Sequence, residues 1–215
     1  RESDELDLDQ RMGPKNYVTI ESKLLPNSST IEHRPIKLAF RQTGCGPDIV
    51  CLHGIGASMI IYRRLVPWLA SDYRVTCLDF PGFGSSDKPR QFSYSLDEQA
   101  SHLEQAIHAL KLERPLAIAS SMGSAIAMAT ALQNSTLFRG IIALGPAVDP
   151  KRVPLVLLPL SRYGDALHRI NSPATVRAAM LQVIARRELI TPGLVALYQE
   201  PFRDRGDSSS AFMKA

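Results

Sequence analysis

The sequence predicts an α/β fold: a mostly parallel, doubly wound sheet with helices on both faces, followed by a helical cap. Three observations predict it. Short apolar runs recur along the first two thirds of the chain: DIVCL (Asp48–Leu52), RVTCL (Arg74–Leu78), PLAIA (Pro115–Ala119) and GIIAL (Gly140–Leu144). They are continuously apolar and do not alternate, as burial on both faces of a parallel sheet requires. Helical segments separate them with short links, the rhythm of right-handed strand–helix–strand crossovers. After Leu144 the rhythm stops, and Gly145–Ala215 carries no convincing strand.

The elements follow in order. Residues 1–15 are acidic at the start (Glu2, Asp4, Glu5, Asp7, Asp9) and lack periodicity, which predicts a mobile tail. Residues 16–147 form the sheet domain. Tyr17–Leu25 and Ile36–Gln42 read as strands around the turn-rich Pro26-Asn27-Ser28-Ser29. Met59–Ala70 reads as a helix. Ser95–Leu110 has helical spacing of Leu96, Ala100, Leu103, Ile107 and Leu110, with Ser95 and Glu98 placed as a capping box. Met122–Leu132 is a further helix. In the cap, residues 148–215, helices open at Ser172-Pro173 and Thr191-Pro192, each a side-chain cap followed by proline at the first helical position.

Composition excludes several classes. The 215 residues are 45% hydrophobic, 21% charged and 7% aromatic, so disorder, collagen and coiled coil are poor fits. Apolar runs such as Leu155–Leu160 are broken by Pro154 and Pro159 and fall short of the roughly 20 residues of a membrane span. Net charge is +4, from 25 basic and 21 acidic residues. Lys151, Arg152, Arg162, Arg169, Arg177, Arg186 and Arg187 are not interleaved with aromatics, so they read as solvated helix faces and no nucleic-acid partner is expected. Cys45, Cys51 and Cys77 form no CxxC pair, which fits a reducing, cytoplasmic compartment. No His/Cys/Asp cluster has ligand spacing, and no GxGxxG follows a strand, so neither a metal nor another cofactor is expected.

Three motifs fall at strand tips, where open α/β sheets bind ligands. Ala119-Ser120-Ser121-Met122-Gly123 joins an apolar strand directly to an Ala-rich helix, the small-x-Ser-x-Gly form of a nucleophile elbow. Such a turn holds its serine at positive φ and needs small residues two before and two after. Only Ser121 has them; Ser120 would have Ile118 and Met122. Taken alone, the motif fits equally well a serine that caps the helix. His53-Gly54-Ile55-Gly56 follows DIVCL, and its glycines let backbone N–H groups face a substrate oxygen. The oxyanion donors would then be the N–H groups of Ile55 and Met122. His53, just before the glycine turn, suits a structural histidine better than a general base. Asp79, opening Asp79-Phe80-Pro81-Gly82-Phe83-Gly84-Ser85-Ser86-Asp87, suits a carboxylate that fixes its own loop through backbone N–H bonds better than a catalytic acid.

The set HGIG, DFPGFGSSDKP and ASSMGSAIAMA, in this order, resembles the α/β-hydrolase superfamily over Val18–Ala147. Val148–Ala215 resembles the helical cap of its esterase, C–C hydrolase and epoxide hydrolase/dehalogenase-like branch. Ala119, Ser120 and Ser124 depart from the residues common at their positions. The resemblance implies a Ser-His-Asp triad with Ser121 as nucleophile, Ile55 and Met122 as oxyanion donors, and His53, Gly54, Gly56 and Gly123 as supporting loops. Epoxide hydrolases and dehalogenases of this fold use an aspartate nucleophile, so Ser121 points away from both. In the family the triad acid and histidine follow the cap. None of His33, His102, His108 or His168 matches that place, so the sequence reads as a piece of a longer protein, lacking on the order of 50–60 residues of further strand–helix units. The expected function is a serine hydrolase acting on an ester or related acyl bond of a small to medium apolar substrate. The alternatives are a C–C bond hydrolase and a non-catalytic ligand-binding member.

Overall fold

The apolar runs form four neighbouring strands, reaching one edge, of one six-stranded sheet in a computed structural model, which describes residues 7, 10–23, 33–89, 92–147 and 172–203. The strands are β1 (Lys15–Lys23), β2 (His33–Thr43), β3 (Asp48–Leu52), β4 (Arg74–Leu78), β5 (Leu116–Ser120) and β6 (Gly140–Leu144), in the spatial order β1-β2-β4-β3-β5-β6. β1 pairs with β2 and β2 with β4 antiparallel, while β4, β3, β5 and β6 run parallel. β3, β4 and β6 have the bounds the sequence predicts.

Continuous apolarity serves two faces at once. Val50 and Leu52 join one core cluster, with Phe80, Leu103 and Ile126. Ile49 and Cys51 join the other, with Met59, Ile60, Tyr62 and Val66. Successive side chains of a strand point to opposite faces, so every position meets a core. Helices α2 (Leu96–Ala109) and α3 (Met122–Gln133) cover the first face. A 3₁₀ turn (Met59–Tyr62) and the short helix α1 (Val66–Leu69) cover the second.

Two expectations are corrected here. The tail was expected to run to residue 15, but Met12 is 1% exposed and packs with Ala39 and Ile49, and Lys15 already pairs in β1. Its flexible thioether fills the second core, a role that no local pattern announces. The single helix expected over Met59–Ala70 is broken in two. In an unbroken helix Pro67 would be interior, would lack its N–H and would clash with the preceding turn. The chain instead makes i→i+3 bonds at Arg63 and Leu65 and restarts with Pro67 in the first turn of α1.

Only half of the capping box at α2 forms. Ser95 accepts the Glu98 N–H, but the Glu98 carboxylate accepts from the Ser93 hydroxyl. At the opposite end of the sheet Asp48 ties three segments. Its carboxylate accepts from Arg74 Nε (2.5 Å) and Nη2 (2.7 Å) in β4 and from the Glu113 N–H (2.6 Å) before β5.

The helices α4 (Pro173–Val183) and α5 (Pro192–Arg203) start where the sequence places them, with Ser172 capping α4. Met180, Ile190, Leu194 and Val195 form a cluster of their own, and Leu197 reaches the second sheet core. The apolar residues expected in the cap at 155–160, and His168, lie outside the described residues.

Candidate active site

Ser121 stands at the junction of β5 and α3 with φ 50° and ψ −117°, a conformation that a side chain seldom adopts. Contacts on both sides hold it there. Its N–H donates to Leu144 O (3.0 Å), and its carbonyl accepts from the N–H of Ser124 (3.0 Å). Ser124, buried, donates its hydroxyl to Ala119 O (2.7 Å), closing the turn from inside. The Ser121 side chain makes no capping bond to α3. Capping therefore does not account for it.

The small residues fit because the two strand tips touch. A Cβ on Gly123 would lie 2.5 Å from Leu52 O and 2.6 Å from His53 O, closer than packed atoms approach. A Cβ on Gly54 would lie 3.0 Å from Ser121 Cβ. The glycine loop after β3 thus rests directly on the elbow after β5. Gly56 takes φ 69° to turn that loop, with Ala57 N–H donating to Gly54 O (3.2 Å). Among the described residues, neither the Ile55 N–H nor the Met122 N–H has a hydrogen-bond partner. Both residues are half-buried.

His53 is fully buried. Its Nε2 accepts the Phe80 N–H (3.1 Å), so Nδ1 carries the proton and donates to Gly54 O (2.7 Å). The edges of Phe80 and Phe83 close around the ring. Asp79 Oδ1 comes within 3.9 Å of Nε2, but that nitrogen is already an acceptor, so this is no ion pair. Burial pushes the His53 pKa down, against the opposing pull of Asp79 and Gly54 O, and keeps the ring neutral. Asp79 accepts N–H groups from Met59 (2.6 Å) and Ser85 (2.8 Å), fixing the loops after β3 and β4. Burial raises its pKa, against His53 and the two N–H bonds. Both side chains spend their hydrogen bonds on loop backbone.

Among the described residues no histidine hydrogen-bonds Ser121. His102 is buried in α2 against Phe92, and His108 lies exposed beside Glu104. No group of three His, Cys, Asp or Glu side chains able to hold a metal occurs among the described residues.

Sequence reasoning passed over Tyr62. Buried at the end of the 3₁₀ turn, its hydroxyl lies 2.7 Å from Leu52 O and 3.1 Å from Ile118 O, between the tips of β3 and β5. The one available signal was a phenol in the apolar stretch MIIY, since a buried tyrosine hydroxyl needs a partner.

The alpha/beta hydrolase fold model matches residues 47–184, which takes in the glycine loop, the elbow and every parallel strand. The chain belongs to the alpha/beta hydrolase fold family. Among relatives, it is 28% identical over 159 residues to the uncharacterized hydrolase YugF of Bacillus subtilis, covering 73% of this chain and 58% of that protein. It is 27% identical over 183 residues to the 2-hydroxymuconate semialdehyde hydrolase of Pseudomonas sp. CF600, covering 83% and 62%. Among solved structures, the meta-cleavage product hydrolase of Pseudomonas fluorescens superposes with a TM-score of 0.70 at 25% identity, covering 89% of this chain and 66% of that one. The chain thus spans less than two thirds of the length of these two curated relatives.

Proposed function

We propose that the protein is a serine hydrolase that cleaves an ester or related acyl bond in a small to medium apolar substrate. The observation that carries this is Ser121, held at φ 50° on a strand-to-helix elbow with no capping bond and with Gly54 against its Cβ. Ser121 Oγ gives its proton to the base and attacks the acyl carbon. The ester C–O bond breaks as the alcohol leaves with that proton, and water then hydrolyses the acyl-enzyme to free the acid and Ser121. The Ile55 and Met122 N–H groups receive the oxyanion, at the N-terminus of α3 where negative charge is favoured. Residues 148–215 act as a cap over the site. A histidine from sequence beyond these residues serves as base, because a serine hydroxyl without one is a weak nucleophile. Residues 1–215 made alone are expected to show no esterase turnover. The reduced, buried Cys51 and Cys77 suit a cytoplasmic enzyme.

A second reading, hydrolysis of a C–C bond in a vinylogous diketone by the same serine, is favoured by the two relatives named as 2-hydroxymuconate semialdehyde hydrolase and meta-cleavage product hydrolase. The experiment treats the full-length protein and its Ser121→Ala variant with a fluorophosphonate probe and with p-nitrophenyl esters of graded chain length. Labelling should vanish in the variant, and turnover should fall by about 10⁵-fold or more. An unlabelled wild type would point to a ligand-binding member instead. Labelling without ester turnover would favour the C–C reading.

A further inference from the structure

Among the described residues, three sets of contacts besides the strand ladder join the tip of β3 to the tip of β5. Two are steric: Gly123 lies against the Leu52 and His53 carbonyls, and Gly54 lies against Ser121. These set how closely the tips can approach, but they do not draw them together. The third is the Tyr62 hydroxyl, 2.7 Å from Leu52 O and 3.1 Å from Ile118 O. We infer that Tyr62 is a positioning residue, whose hydroxyl ties the β3 tip to the β5 tip and thereby sets the separation of the Ile55 and Met122 N–H groups. The inference rests on the serine-hydrolase reading above, and deepens it.

The tie grips the last two rungs of the ladder, Cys51 opposite Ile118 and Leu52 opposite Ala119. β3 and β5 pair in parallel up to Leu52 opposite Ala119. Beyond that point β3 turns into His53-Gly54 and β5 into the elbow, so the ladder no longer holds one donor against the other. Leu52 lies three residues before Ile55, and Ile118 four before Met122. A shift of either carbonyl is therefore carried within one turn of chain to a donor. An oxyanion hole is sensitive to such shifts, because its donors act only when they are aimed before the charge develops.

The hydroxyl is placed to donate at every working pH. Its single proton is shared between two acceptors, the Leu52 carbonyl being the nearer. Burial raises the Tyr62 pKa, with Cys51 and Cys77 adding to the rise, so the phenol stays protonated. Met59, Ile60, Val66 and Ile118 pack in the same cluster as the ring. Packing fixes the ring and the hydroxyl fixes the tips, so deleting one oxygen separates the two roles.

The test uses the full-length protein, Tyr62→Phe, and Cys77→Ala as a packing control in the same cluster. The readouts are kcat and KM on a p-nitrophenyl ester, the rate of fluorophosphonate labelling of Ser121, and Tm. Tyr62→Phe should lower kcat and the labelling rate together by about tenfold, with KM within about twofold. Cys77→Ala should lower Tm while leaving kcat and labelling as they were. Unchanged kcat and labelling in Tyr62→Phe, with the unaltered protein labelled, would overturn this inference alone. So would a Tyr62→Phe protein that fails to fold at a temperature where Cys77→Ala stands, since the hydroxyl would then hold the sheet and not tune the site. An unlabelled unaltered protein would overturn the serine-hydrolase reading, and this inference with it.

Discussion

Two buried histidines show how burial decides what an imidazole can do. His53 has both ring nitrogens engaged, one with Gly54 O and one with the Phe80 N–H, and so it acts as a neutral bracket between two loops. His102 is 1% exposed and lies on Phe92, and its Nδ1 has no hydrogen-bond partner among the described residues. Burial lowers its pKa to about 4 from 6.5. Between those values the unfolded chain holds a proton that the folded chain refuses, so stability rises with pH across that window. His102 therefore costs nothing above about pH 6.5 and destabilises progressively as pH falls toward 4. Replacing His102 with Leu should flatten this limb, removing about 3 kcal/mol of the loss between pH 7 and 4. Urea unfolding of the two proteins across that range isolates the effect, because Asp79 and every other titrating group is shared. Parallel curves for the two proteins would show that His102 takes up its proton equally in the folded and the unfolded chain.

Elements were legible where their cause is local. β3 and β4 need only a run of apolar residues long enough to face two cores, and their bounds, like those of β6, match the sequence expectation. The Ser121 elbow was legible for the same reason, since its small neighbours lie within two residues of it. What was not legible depends on pairing. The His53 ring finds its donor 27 positions along the chain, and Tyr62 finds acceptors that come together only once β3 and β5 lie side by side. Met12 was missed because the core cluster it joins is drawn from elements distant in sequence, from β2 to β5. Pro67 was visible, and its effect on the Met59–Ala70 segment was the one error that local rules could have prevented. The Asp48 knot is likewise a matter of pairing. It binds the start of β3 to the start of β4 and to the segment entering β5. Burial works to raise the Asp48 pKa, but hydrogen bonds from Arg74 and the Glu113 N–H outweigh it and leave it below 3.8. The carboxylate thus stabilises the fold above about pH 3.8, and the contribution is lost as pH falls through the lower, folded value. Asp48→Asn should cost about 2 kcal/mol at pH 7, since it turns an amide donor toward groups that are themselves donors. The gap between the two proteins should close toward pH 3 in urea titrations, and a gap independent of pH would assign the loss to packing.

At the scale of the molecule the two edges of the sheet are treated differently. β1 is guarded: the Gln105 amide from α2 accepts the Glu21 N–H and donates to the Glu21 carbonyl, both at 3.0 Å. Those are backbone groups that another strand would otherwise seek. β6, the opposite edge, pairs only with β5 among the described residues. It leaves Ile142 45% and Leu144 48% exposed. A flat apolar edge with free backbone donors and acceptors invites a second chain to pair with it, and charge on the edge is the usual defence. Residues 1–215 produced alone should therefore self-associate, with a weight-average mass that rises with concentration in sedimentation velocity. Ile142→Lys places a charge on the outward-facing centre of β6 and should shift that distribution toward monomer while leaving the Tm of the monomer almost unchanged, because the side chain is already near water. The same substitution on Leu132, 89% exposed on α3, should leave association as it was. If Leu132→Lys were the variant that restored the monomer, the sticky surface would be the helix face, and the edge of β6 would be silent.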